Sequence, residues 1–215
     1  MTACITTDIT TNTTHSHNAQ GIIALKTNHP DIKELKRNGV DHSLHGNKVW
    51  RSCWTLIDYM VHQRNLKHLN ALDIGCGWGV TGIYLAKKKK CKVIGIDGDA
   101  EVKPFHQLMC KHNKVDVPFR RAYFKNITKK DLANINLIAG ADICFWDSLV
   151  DELFNLFKRA REAGVGTILI SDPGRPTFFA LAERCEKRLS GEVELIERKI
   201  RSPFTAHSYI LKIKN

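Results

Sequence analysis

The sequence predicts a doubly wound α/β protein on a mostly parallel seven-stranded sheet, closed by an antiparallel C-terminal strand. Three observations carry that expectation. From residue 70 onward, short apolar runs alternate with helix-length amphipathic stretches, the pattern of a parallel sheet covered on both faces. Asp73, Asp97, Asn126, Asp147 and Asp172 fall at or just beyond the predicted ends of those runs, the rim where such sheets hold ligands. The last two runs, 193–197 and 208–213, have no helix-length pattern between them and read as an antiparallel pair.

The elements follow in order. Residues 1–20 are rich in Thr and Asn and lack periodicity, so a disordered tail is expected, followed by one domain over 21–215. A short helix and loop is predicted over 30–45. Across 48–65, Val49, Trp50, Cys53, Trp54, Ile57, Met60 and Val61 recur at helical spacing. A first strand at about 70–74 leads through a glycine loop into a helix at about 79–88. A second strand, Cys91–Ile96, ends at Asp97 and precedes a helix at about 101–113. A weaker strand at about 118–124 comes next. The fourth strand is expected at Ala141–Trp146, ending at Asp147, before a helix at about 149–162 that Gly164 and Gly166 stop. A fifth strand, Thr167–Ser171, ends at Asp172 and precedes a helix at about 176–188.

Composition narrows the function classes. No apolar run approaches the roughly 20 residues that span a bilayer, and the N-terminus lacks the basic start and apolar stretch of a secretory signal. The seven cysteines are odd in number and none shows Cys-x-x-Cys spacing, so they read as reduced thiols of a cytoplasmic protein. No metal is expected. His15 and His17 lie in the polar tail, and His42 and His45 have no acidic or cysteine partners at ligand spacing. The net charge of +11 is concentrated in residues 87–130, which hold thirteen Lys/Arg against four acids. That block suits RNA, an acidic protein or a membrane surface. It better suits a solvated sheet edge, because Lys87–Lys90 fall at a helix end where cations complement the dipole.

Residues 69–82, LNALDIGCGWGVTG, carry the chemistry. Gly75, Gly77 and Gly79 let the backbone turn sharply and approach a ligand. Asp97, 18 residues beyond Gly79, is placed to accept hydrogen bonds from both hydroxyls of a ribose. Asp73 stands beside the loop, where it would repel a pyrophosphate. A cofactor with a ribose and a cation resolves both, which points to S-adenosylmethionine (SAM) over a dinucleotide. Gly82 reads as helix–strand packing. For methyl transfer to an amine, a carboxylate that orients the neutral amine and an aromatic wall that favours a cation would help. Asp147 is the acid best placed by this reading. Trp146 before it is either that wall or core, and Asp151 and Glu152 read as solvated helix residues.

Over about residues 46–213 the chain resembles the class I, seven-β-strand SAM-dependent methyltransferases, a Rossmann-like fold. Within them it resembles the family 16 protein-lysine methyltransferases. Four segments carry the likeness: Val49-Trp50-Arg51-Ser52, Leu72 to Gly79, Lys125-Asn126-Ile127, and Ile170-Ser171-Asp172-Pro173-Gly174-Arg175-Pro176. The resemblance implies that Trp50 lies against SAM and Asn126 near its adenine. It also implies an Asp-x-x-Tyr after strand four, where this register gives Asp147-Ser148-Leu149-Val150, with the acid but no tyrosine. The expected activity is N-methylation of a lysine in a protein. Methylation of a small molecule at N or O, methylation of RNA, and non-catalytic SAM binding are the alternatives.

Overall fold

The computed structural model describes residues 11–40 and 46–215. Cys4, His42 and His45 lie outside them, as does the first half of the expected tail.

The chain opens with three short strands, β1 (Thr11–Asn12), β2 (Ser16–Ala19) and β3 (Ile22–Leu25), which form an antiparallel sheet. A disordered tail does not describe residues 11–20. Ala19, Ile22, Ala24 and Leu25 are buried in the core, which offsets the entropy of ordering this polar stretch. Asn113 acts as a side-chain stand-in for a further strand: it accepts from the Ile23 N–H (2.9 Å) and donates to the Ile23 carbonyl (2.7 Å).

Helix α1 (Pro30–Arg37) follows, with Pro30 in its first turn. Helix α2 (Ser52–Val61) is shorter than the 48–65 expected and buried at all but Asp58, Tyr59 and Val61. The main unit then runs β4 (Asn70–Ile74), α3 (Val80–Lys89), β5 (Lys92–Asp97), α4 (Lys103–Asn113), β6 (Phe119–Arg121), α5 (Lys129–Leu132), β7 (Leu137–Ala141), α6 (Asp147–Glu162), β8 (Thr167–Asp172), α7 (Pro176–Arg188), β9 (Glu192–Ile200) and β10 (Ala206–Lys214).

The seven strands from β4 to β10 form one sheet in the order β6-β5-β4-β7-β8-β10-β9. The first five are parallel. β10 inserts antiparallel between β8 and β9, as the sequence pattern predicts for the last pair. The strand order reverses between β5-β4 and β7, which opens a crevice at the carboxyl ends of these strands. One face of the sheet packs on α2, α3 and α4, the other on α6 and α7.

The fourth strand is displaced from its expected place. Ala141–Trp146 was the apolar run read as strand; the strand is Leu137–Ala141, paired from Leu137 to Ala71 of β4 and to Thr167 of β8. Asp142 at φ +59° turns the chain out of the sheet. Ile143 and Cys144 are buried all the same, under the loop that follows. Burial in a loop mimics the hydrophobicity of a strand, and that is why the pattern misleads here.

The basic block is partly structural. Lys89 donates to the carbonyls of Val61 (3.3 Å) and Gln63 (2.7 Å), Arg120 pairs with Asp131 (2.5 Å), and Lys129 with Glu162 (2.7 Å). No described helix is long and apolar enough to cross a membrane.

Candidate active site

A cavity of about 790 Å³ opens at the carboxyl ends of β4, β5, β6 and β7. Its floor is the loop after β4. Gly75, Gly77 and Gly79 all have positive φ (60°, 50° and 81°). Two of them need glycine for different reasons. A Cβ on Gly75 would lie 2.4 Å from Ile143 Cγ2, so the loop could not close on the β7 side. A Cβ on Gly77 would meet nothing within 4 Å; there the absent side chain leaves open space on the cavity wall, bounded by backbone. Gly82 is a packing glycine, as expected: its Cβ would fall 2.9 Å from Asp73 Oδ2.

Asp97 ends β5 directly beside this loop. Its Oδ2 accepts from the Gly77 N–H (2.8 Å) and its Oδ1 from the Asp99 N–H (3.0 Å). Burial pushes its pKa up, while these N–H groups pull it back. Each carboxylate oxygen retains acceptor capacity toward the cavity. Asp73 lies one layer deeper, 2% exposed, beside an adjoining pocket of about 40 Å³ lined also by Gly75, Gly77 and Gly79. Its Oδ2 accepts from the Gly82 N–H (2.8 Å) in the first turn of α3. Burial drives its pKa up to about 8 against that hydrogen bond, with the neighbouring Asp97 adding to the rise.

Trp50 borders both pockets, with Lys48 Nζ 4.5 Å from its ring centroid. Asp142, also in the lining, is 7% exposed and serves as a junction. It accepts from the Ser52 N–H (3.1 Å) at the start of α2 and from Arg175 Nη1 (3.0 Å). Arg175 also donates to Asp172 Oδ2 (2.6 Å), and Asp172 Oδ1 accepts from the N–H groups of Gly174 (2.9 Å) and Arg175 (2.8 Å). The Asp-Pro-Gly-Arg-Pro stretch is thus a tie that joins the ends of β7 and β8 to α2. Burial raises the Asp142 pKa, opposed by Ser52 and Arg175.

The outer part of the cavity is aromatic. Phe145 and Trp146 form an edge-on pair, centroids 4.8 Å apart, and Leu149 and Glu152 of α6 stand beside them. Tyr123 lines the facing side. Trp146 is 55% exposed and Tyr123 49%, which excludes a core role for Trp146.

Of the residues singled out in the sequence, Trp50, Gly75, Gly77, Asp97 and Trp146 meet at the large cavity, and Asp73 and Gly79 at the small one. Asn126 and Asp147 border neither pocket. Asn126 ends an exposed turn after β6, and the wall there is made by Ala122, Tyr123 and Phe124. Asp147 is exposed in the first turn of α6, where a carboxylate suits the helix dipole. With β7 ending at Ala141, the acid just beyond strand four is Asp142, and the segment in that place is Asp142-Ile143-Cys144-Phe145. Sequence reasoning named Phe145 only as an aromatic that could replace the missing tyrosine, read Glu152 as a solvated helix residue, and missed Asp142 and Leu149, all because it placed the strand too far along the chain. The run Leu137–Ala141, set against its parallel partners, was the available signal.

A cationic, ribose-bearing cofactor fits this chamber. The lining holds five carboxyl groups (Asp97, Asp99, Glu101, Asp142, Glu152) against three cations (Lys48, Arg121, Arg175). The open wall at Gly77 faces Asp97, and Asp73 adds a further acid below the loop. Fold and site together define the class of SAM-dependent methyltransferases. Solved structures agree on the fold: the methyltransferase domain of a bacterial CtHen1 (13% identity, TM-score 0.59, 76% of this chain and 97% of that one) and a Pyrococcus abyssi tRNA (uracil-54, C5)-methyltransferase in complex with S-adenosyl-L-homocysteine (21%, TM-score 0.51, 80% and 39%). The family described as lysine methyltransferase matches residues 27–177, and the chain belongs to that family. It is 25% identical, over 139 residues, to the human electron transfer flavoprotein beta subunit lysine methyltransferase. That match takes in 62% of this chain and 52% of the human protein, so the chain spans about half the length of the curated relative it matches.

Proposed function

We propose that this chain transfers a methyl group from SAM to the side-chain amine of a lysine in a protein. The observation that carries the reading is a single cavity with two unlike ends. One end is buried, glycine-floored and acidic; the other opens to the surface through Phe145, Trp146, Leu149 and Tyr123. An aromatic mouth of this kind, open to the surface above a buried cofactor end, suits a long, flexible side chain delivered from a larger molecule.

When bound, SAM supplies a methyl group already activated by the sulfonium charge. The chain's own residues then have four tasks. Asp97 would accept from the ribose hydroxyls, its carboxylate held in place by the Gly77 N–H. The loop Gly75–Gly79 gives backbone contact to the rest of the cofactor, with Trp50 as a flat wall and Asp73 as a nearby acid for the cationic end. The Asp142–Arg175–Asp172 tie fixes the rim against which both reactants rest. At the outer end, Phe145 and Trp146 would exclude water and favour the methylammonium product, and a carboxylate would take up the proton that the lysine ammonium sheds and then orient the neutral amine that attacks. Glu152 borders the cavity and is our choice for that task. Asp147, the acid favoured from sequence, stands outside the wall, and Asn126 lies in the turn after Tyr123, donating its N–H to the Tyr123 carbonyl (2.9 Å). A cytoplasmic location belongs to the same reading, on the strength of the reduced cysteines.

Incubating the protein with tritiated SAM and a host lysate tests the proposal. Label that is lost on protease treatment, survives RNase, and yields methyl-lysine on hydrolysis is the expected result. Label confined to the small-molecule fraction would replace the acceptor with a metabolite, and label removed by RNase would replace it with RNA.

A further inference from the structure

A second cluster of chemistry-bearing side chains lies away from the cavity. His29 precedes α1, Asp31 sits in its first turn, and His112 lies in the last turn of α4. Their ligand atoms are all within 4.8 Å of one another. Asp31 Oδ2 is 2.7 Å from His112 Nε2 and 3.9 Å from His29 Nδ1. The rings of His29 and His112 stand edge-on with centroids 5.2 Å apart, and the ring of His15 lies 6.3 Å from that of His29. All three ligating side chains are partly exposed, so an ion can reach them from solvent.

We propose that His29, Asp31 and His112 form a binding site for a zinc-class divalent cation that clamps α1 to α4, with water or His15 as the fourth ligand.

Two imidazoles and one carboxylate suit zinc and its borderline neighbours; magnesium and calcium prefer oxygen sets. Zinc–ligand bonds of about 2.0–2.1 Å in a tetrahedron place ligand atoms about 3.3 Å apart. The distances here, 2.7 and 3.9 Å, bracket that spacing. Reaching it takes side-chain torsions rather than backbone movement, and the donors stand on or beside two helices.

The plainer account gives each residue a local task. The His29 side chain accepts from the Asp31 N–H (3.2 Å) as a helix cap, and Asp31 pairs with His112. Those tasks need one histidine apiece. They do not explain why the two imidazoles converge on one carboxylate with a third imidazole beside them. Metal binding would exchange two part-exposed hydrogen bonds for three coordination bonds.

The site would also bear on the fold. α1 precedes the segment leading to Lys48 and Trp50, and α4 follows directly on Val102; all three line the large cavity. A clamp between the helices would hold two walls of that cavity together without touching the cofactor.

The test uses the full chain stripped of metal. Titration with zinc chloride should show one equivalent bound, and cobalt(II) should give the intense visible absorption of a tetrahedral site. His112→Gln preserves a hydrogen bond to Asp31 but removes a strong ligand, and it should weaken zinc binding by more than about tenfold, as should His29→Gln. His68→Gln, at an exposed histidine outside the cluster, should leave binding unchanged. Zinc should slow amide exchange across Pro30–Arg37 in the wild type and not in His112→Gln. Absence of stoichiometric zinc binding by the wild type overturns the proposal. So does equal affinity in wild type, His29→Gln and His112→Gln, which would put the ion on thiols elsewhere.

Discussion

The two ends of the cavity are built by opposite means. At the inner end, recognition rests on backbone and on carboxylates held by backbone: Gly77 donates to Asp97, Gly82 to Asp73, and Gly75 has room for no side chain. At the outer end, recognition rests on exposed side chains of the segment after β7 and of α6, namely Phe145, Trp146, Leu149 and Glu152. The inner end is rigid because each of its groups is held by a neighbour in the sheet or in α3. The outer end can change its chemistry by substitution without disturbing the strands. A fold that keeps one cofactor and varies its acceptor is expected to divide its labour in this way.

The largest effect should come from the inner end. Asp97→Ala removes both acceptors meant for the ribose and leaves the Gly77 N–H without its partner. Each charged hydrogen bond contributes roughly 1.5–3 kcal/mol, so SAM affinity should fall by more than about a hundredfold. Isothermal titration with SAM reads this directly. Unchanged affinity would refute the assignment of Asp97 and erase the contrast between the two ends.

The next effect belongs to the outer end. Glu152→Gln keeps shape and removes charge, so kcat should fall by roughly a hundredfold, the low end of the range for a proton acceptor, while SAM affinity stays within about twofold. Asp147→Asn should leave both unchanged. Should Asp147→Asn slow turnover while Glu152→Gln does not, the acid favoured by the sequence would be restored and the cavity wall would be a poor guide to the acceptor.

The same contrast explains what could be read from the residues alone. The inner end was legible because its parts are local: a strand, three glycines at alternate positions, and an acid at the end of the next strand. Asp-Pro-Gly-Arg-Pro was legible as a motif, although its physical work, the tie from Arg175 to Asp142 and Asp172, needed coordinates. The outer end was not legible. Ile143 and Cys144 are buried loop residues with the hydrophobicity of a strand, so the apolar pattern points to a strand end at Trp146 and to Asp147, where the chain leaves the sheet at Ala141 and Asp142. The N-terminal sheet was hidden for the converse reason, because the polar β2 pairs with the apolar β3, which in turn is held by Asn113, 90 residues beyond Ile23 in sequence. The histidine cluster joins residues 81 apart that no spacing rule connects.

The smallest effect, and the one that most sharpens the comparison, concerns Asp73. Its carboxyl has an ordinary value of 3.8 and is pushed up to about 8 in the folded chain. Between those values the folded chain holds a proton that the unfolded chain has lost, so ligand-free stability should fall as pH rises from about 4 to about 8 and level off above. Asp73→Asn, which keeps an oxygen for the Gly82 N–H, should lose that slope. The difference in Tm between wild type and variant should then change by at least roughly 2–4 °C between pH 5 and 8, the response to about 1 kcal/mol in a chain of this size. A saturating cation beside Asp73 favours its ionised form, so SAM should flatten the wild-type slope as well. Equal slopes for wild type and Asp73→Asn would show that the glycine-loop acid does not titrate in this range. A slope that SAM leaves untouched would show that Asp73 serves α3 alone, and the charge that suits the cofactor would then have to come from the other carboxylates of the cavity.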